Sequence, residues 1–247
     1  MSTSSLVIAS CLIAIPVLIS YKEKLGLEKE IITSILRAII QLLIVGYILD
    51  TVFGLNNPVL IIILILIMAI NASLNSVKRG KNIKNVFFIS LLSIITGAII
   101  TISVLVFSGV IKFNPDEIIP ISGMIISNSM IAIGITYRNL NSSFELRRAE
   151  IETKLSLGAS IKEASKDILR ESIKVAIIPT VDSAKTLGIV SIPGMMTGLI
   201  LGGVSPIMAV KFQIMVTFMI ISSSSISILM STYLGYKSFY NERYQLI

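Results

Sequence analysis

The chain has 247 residues, 54% of them hydrophobic and only 14% charged, and its mean hydropathy is +0.89. That composition excludes a soluble globular domain. The net charge of +7 does not point to nucleic acid, because the basic residues are distributed through the gaps between apolar runs and form no single patch.

Uncharged runs extend from Met1 to Tyr21, Pro58 to Val77, Val86 to Ile111, Ile118 to Tyr137, Thr186 to Val210 and Phe212 to Tyr236. Each is long enough to cross about 30 Å of hydrocarbon at a helical rise of about 1.5 Å per residue. Ile31 to Phe53 joins them despite Arg37 and Asp50. The expected fold is therefore all-α, a multi-pass membrane protein with about seven transmembrane helices. Lys22, Lys24 and Lys29, then Lys78, Arg79, Lys81 and Lys84, then the eight basic residues from Arg138 to Lys174, and finally Lys237 and Arg243 occupy alternate gaps. The positive-inside rule then places the N-terminus outside and the C-terminus in the cytoplasm of a cell-membrane protein. The first run lacks a basic leader and reads as a retained helix, and with Cys11 as the single cysteine no intrachain disulfide is possible.

Along the chain, Arg37 and Gln41 stand at i and i+4, on one helix face near its inner end. Pro58 opens its helix as an N1 residue. Ser90, Ser93, Gly97 and Thr101 form a small-residue face suited to close helix packing. The run from Pro120 onward holds Ser122, Gly123, Ser127, Asn128, Ser129 and Gly134, too polar a set to face lipid, so it is expected against protein or a water-filled path.

Asn141 to Lys174 is the one long polar segment and reads as two short helices, an elbow covering about 138–174. Gly158 ends the first, and Ser160 with Glu163 has capping-box spacing for the second. Leu155 and Leu157 are expected to be exposed for a partner. Beyond the elbow, Asp182 lies some way into an apolar run, where Lys185 at i+3 neutralises it. Pro193, Gly194, Gly198, Gly202, Gly203 and Pro206 then break the chain, giving a re-entrant or bent outer segment.

With no histidine, the commonest general base and transition-metal ligand are missing. No Walker-A pattern occurs either: Gly80-Lys81-Asn82 lacks the upstream glycine and the final hydroxyl residue. Glu152, six residues before Gly158, resembles the EAA loop of ABC importer permeases, although Thr153 and Lys154 stand where that loop has alanines. A longer resemblance is carried by Ser122 to Met130, Arg148 to Glu152, Leu157 to Ala159, Ile178 to Gly188, and above all Ser191-Ile192-Pro193-Gly194-Met195-Met196-Thr197-Gly198 through Gly202-Gly203-Val204-Ser205-Pro206. On these runs the chain resembles the FetB-type iron-export ABC permease family, related to plant permeases of aluminium tolerance.

The resemblance implies one permease domain over 1–247, forming a homodimer and joined to a cytoplasmic ABC ATPase that carries the ATP and Mg. It implies that this chain binds no cofactor and performs no hydrolysis itself. Glu150, Glu152, Leu155, Leu157, Gly158, Ala159 and Ser160 are the candidate ATPase-coupling residues. The pathway candidates are Arg37, Gln41, Asn128, Asp182, Lys185, Met195 and Met196, with the path lined by spans two, five and six. Two rival transport readings are a secondary transporter using Asp182 as an ion or proton relay and an ABC permease for a nucleotide sugar. An intramembrane enzyme would have only Asp50 and Asp182 to work with.

Overall fold

The computed structural model describes residues 10–55 and 57–247, and among them the regular structure is helical, with only two isolated β-bridges. The chain divides into two compact units, Met1–Asn56 and Asn57–Ile247. In the first, a 3-10 turn at Cys11–Ile13 runs into α1 (Ala14–Lys22), followed by α2 (Glu28–Leu55). Residues 1–9 of the predicted first span lie outside the described residues. Ser20 accepts from the Leu27 amide at 3.1 Å and donates to Glu28 at 2.8 Å, holding the turn between the helices. None of the apolar stretch from Glu28 to Asp50 in α2 is buried, which only a hydrocarbon surrounding or a protein partner makes favourable.

The second unit contains α3 (Pro58–Val77), α4 (Val86–Phe107), α5 (Pro115–Leu146), α6 (Arg148–Ser156), α7 (Ile161–Thr186), α8 (Gly194–Leu201) and α9 (Pro206–Gly235). Three of these helices start on a proline, whose missing N–H is no loss at N1. Asn57 caps α3 through the Val59 amide, and Ser205 caps α9 through Met208. Among the described residues five helices are long and apolar enough to cross a membrane: α2, α3, α4, α5 and α9. Of the other predicted crossings, the described part of the first is the short apolar segment Cys11–Lys22. Thr186 to Val210 is not a continuous helix. It consists of a turn with Gly188 at φ +80°, the eight-residue α8, and a second turn with Gly203 at φ +91°.

The elbow also differs from two short helices set apart from the spans. α5 continues from the apolar run through Leu146, and α7 runs unbroken from Ile161 to Thr186. Polar residues do not terminate a helix. Gly158, at φ +89°, does, so only α6 stands alone.

α9 packs along both α4 and α5, and α3 lies against the same two helices. The α4–α9 crossing depends on Gly97, where an added Cβ would lie 2.7 Å from the Ser227 hydroxyl and 2.9 Å from the Ser223 carbonyl. Ser227 donates to the Ser93 carbonyl at 3.1 Å across that crossing. Other buried hydroxyls on α9, such as Ser231 and Thr232, bond back to Ile228 in their own helix, which lets small polar residues pack without cross-helix partners.

Gly97→Ala is expected to destabilise the bundle by about 1–3 kcal/mol through overpacking. Adding Ser227→Ala should restore only part, because the Ser223 carbonyl belongs to the backbone and cannot be trimmed. Heating each variant in detergent and measuring the surviving monodisperse fraction by size exclusion checks both expectations; wild-type thermal stability in Gly97→Ala would remove the close approach.

Candidate functional site

A cavity of about 390 Å³ lies between α5, α7 and α9, with the segment leading into α8 on one side. Each long helix supplies a stripe at helical spacing: Met124, Asn128 and Ile131 from α5; Thr180, Ser183 and Ala184 from α7; Gln213, Thr217 and Ile220 from α9. Beneath it, Ala132, Ala176 and Ile228 form a small apolar cluster joining the three helices. Pro179 on the wall withdraws an N–H from the middle of α7. The volume is in the range of small-ligand sites.

Among the described residues, no charged side chain lines this cavity. Its polar groups are two carboxamides and three hydroxyls, and its soft groups are the thioethers of Met124 and Met195. Asn128 donates to the Met124 carbonyl at 2.8 Å, and Thr217 donates to the Gln213 carbonyl at 2.8 Å. The Gln213 side-chain oxygen is buried with no hydrogen-bond partner among the described residues. Such a group costs on the order of 1–3 kcal/mol until something donates to it. The arrangement offers amide and hydroxyl dipoles and thioether sulfur, and among the described residues it holds no general base. Among the described residues there is also no cluster of three His, Cys, Asp or Glu side chains that could hold a metal ion.

Of the predicted pathway residues, the structure brings Asn128 and Met195 to this cavity. Met196 is half-buried beside it without reaching the wall. Asp182 and Lys185 do pair at 2.8 Å as their spacing requires, but they lie off the lining stripe of α7, at 58% and 67% side-chain exposure. An ion relay through Asp182 would need its carboxylate inside. Arg37 and Gln41 are exposed on α2 in the other unit. Gln213 was not singled out from the sequence, although it is the only carboxamide between Leu187 and Tyr240, and that isolation in an apolar run was the available signal.

The elbow is a second feature. Ile151 on α6 and Ala164, Ile168 and Leu169 on α7 are buried in one core with Tyr137, Phe144, Tyr236, Phe239 and Tyr240. Phe144 stacks flat on Phe239 at 4.1 Å, and Ser165 shares a 2.6 Å hydrogen bond with Tyr240. Leu155 packs against this core and is not the exposed residue expected of it; its side chain turns inward with Ile151, four positions earlier on the same helix face. The exposed leucines are Leu157 at 83% and, at the other end of α6, Leu146 at 82%. Glu150 accepts two hydrogen bonds from Arg147, at 2.7 and 2.9 Å, and Lys154 bridges Glu150 at 2.7 Å to Asp167 on α7 at 3.0 Å. Glu152 pairs with Arg148 at 2.9 Å. Ser160 and Glu163 form the capping box, and Ala159 is half-buried beside it.

The chain matches the family described as "Uncharacterised protein family (UPF0014)" over residues 3–240. It is 49% identical over 246 residues to the "Probable iron export permease protein FetB" of Escherichia coli (strain K12), covering 100% of this chain and 95% of that one. Identity is 37% over 242 residues to the "UPF0014 membrane protein YjkA" of Bacillus subtilis (strain 168), covering 98% and 97%. It is 35% over 238 residues to the "Protein ALUMINUM SENSITIVE 3" of Arabidopsis thaliana, covering 96% and 87%. No solved structure matches the chain.

The Arg147 hydrogen bonds, and then those of Lys154, hold the Glu150 carboxyl at about 2 instead of 4.5. Because the folded-state value is depressed, the contribution is complete above about 4.5 and is lost as pH falls toward about 2. These groups are exposed, so the effect is local. Amide exchange of residues 148–156 should be slower in the wild type than in Glu150→Gln at neutral pH, and the two should converge at the acid end. A difference independent of pH would remove this assignment.

Proposed function

This chain belongs to the UPF0014 family, and on that premise we propose that it is the membrane-spanning permease subunit of an ATP-driven exporter whose ATPase is a separate chain. Whole-length identity to a protein named for iron export supports iron as the cargo. In this reading two copies of the permease pair, the N-terminus lies outside and the C-terminus in the cytoplasm, and ATP and Mg bind on the partner.

The observation that carries the coupling role is the elbow. α6 is held by the aromatic core and by the Glu150 network, yet it leaves Leu157 exposed beside a glycine at positive φ. In this reading the partner covers Leu157 together with Leu146, the equally exposed leucine at the other end of α6. Leu157→Asp and Gly158→Val should leave membrane insertion intact while lowering ATPase co-purification and its stimulated hydrolysis at least about fivefold, a coupling loss of about 1 kcal/mol. Full ATPase binding by both variants would remove the elbow as the docking site and, because the ATPase is cytoplasmic, the orientation would lose its functional support as well.

The cargo route is assigned to the cavity. Neutral carboxamide oxygens and thioethers bind a cation or its complex more weakly than carboxylates or imidazoles do, which suits a site that must release what it takes. Gln213→Leu removes an orphaned polar atom, so thermal stability should hold or rise while iron efflux from loaded vesicles falls about tenfold. Unchanged efflux would move the route elsewhere.

A further inference from the structure

At the same end of the second unit as the elbow, a cavity of about 430 Å³ lies between the end of α3, the turn that follows it and one face of α5. Lys78, Arg79, Lys81 and Arg138 line it, with Asn141 and Glu145 from the same α5 face as Arg138. The four cations outnumber the one carboxylate, and among the described residues none of these five charges takes part in an ion pair. The nearby elbow is different, since Arg147, Arg148 and Lys154 each have a carboxylate partner. A basic loop that served only to orient the chain would need no fixed geometry, whereas here it is fixed. The half-buried Arg79 guanidinium lies against the Gly134 backbone, where any Cβ would collide with it, and Asn141 donates to the Arg79 carbonyl at 3.4 Å. Just above, Leu74 and Val77 of α3 present exposed apolar side chains, so the cavity opens at the border of the apolar surface.

We infer that this cavity binds a phosphate-bearing anion, with an anionic lipid headgroup at the bilayer border as its source. Clustered cations beside a span recognise such headgroups, each Lys or Arg contributing electrostatically. The apolar surface of α3 receives the acyl chains while Arg79 and Arg138 face the phosphate oxygens.

Native mass spectrometry of the purified chain, titrated with phosphatidylglycerol and with phosphatidylcholine of the same acyl chains, tests this. Phosphatidylglycerol should bind about tenfold more tightly, and the double variant Lys81→Gln, Arg138→Gln, both at exposed positions, should reduce that preference to within about twofold. A control that removes two charges elsewhere, Lys112→Gln with Lys211→Gln, should keep it. Millimolar inorganic phosphate distinguishes the sources: displacement of the lipid assigns the site to a soluble phosphate, and retention assigns it to the headgroup. Equal binding of the two lipids, or an equal loss in the control variant, would overturn the site.

Discussion

The second unit depends on one packed layer, in which Phe144 lies flat on Phe239, with Tyr240 edge-on to Phe144 at 6.0 Å and Tyr137 in the same core. That layer receives the end of α5, the buried face of α6, the start of α7 and the chain after α9 in a single core. Close-packed aromatic and aliphatic side chains resist compression and transmit displacement. That core therefore joins α6 to α5 and α7, the two helices that also form walls of the cavity.

Charge is distributed to match. Around α6 each cation has a carboxylate, which orients the helix at little energetic cost in water. Among the described residues no charged group lines the cavity, and its chemistry is that of amide and hydroxyl dipoles and thioether sulfur. A fixed charge among these mostly apolar walls would need a partner to be tolerated. Asp182 and Lys185, which neutralise each other in the last turn of α7, lie on the other side of the stripe that lines the cavity.

Much of this was legible in the sequence where a feature depends on local chemistry. The proline start of α3, the capping box at Ser160 and Glu163 and the positive φ of Gly158 all follow from which residues occupy three or four neighbouring positions. The protein-facing character of α5 was legible too, because so polar a set of small residues with Asn128 does not suit a lipid-facing helix; 56% of its apolar stretch is buried, the highest share of the five long apolar helices. The elbow's boundaries were less legible. A switch from apolar to polar residues marks where a helix leaves the membrane, not where it ends, and α5 and α7 both continue through that switch.

By itself the sequence determined that this is a helical multi-pass membrane protein, since only long apolar runs with internally satisfied backbones can lie in hydrocarbon. It also determined where its charges gather and which residues cap or break each helix. Only the tertiary structure decided which side chains share a space. Whether Leu155 or Leu157 faces outward is a matter of helix rotation against a core assembled from residues up to about a hundred positions away. Asn128, Ser183 and Gln213 meet in one cavity because three helices cross there, and no local pattern records a crossing. The same holds for Arg79, whose side chain lies against the backbone of a glycine 55 positions further along the chain.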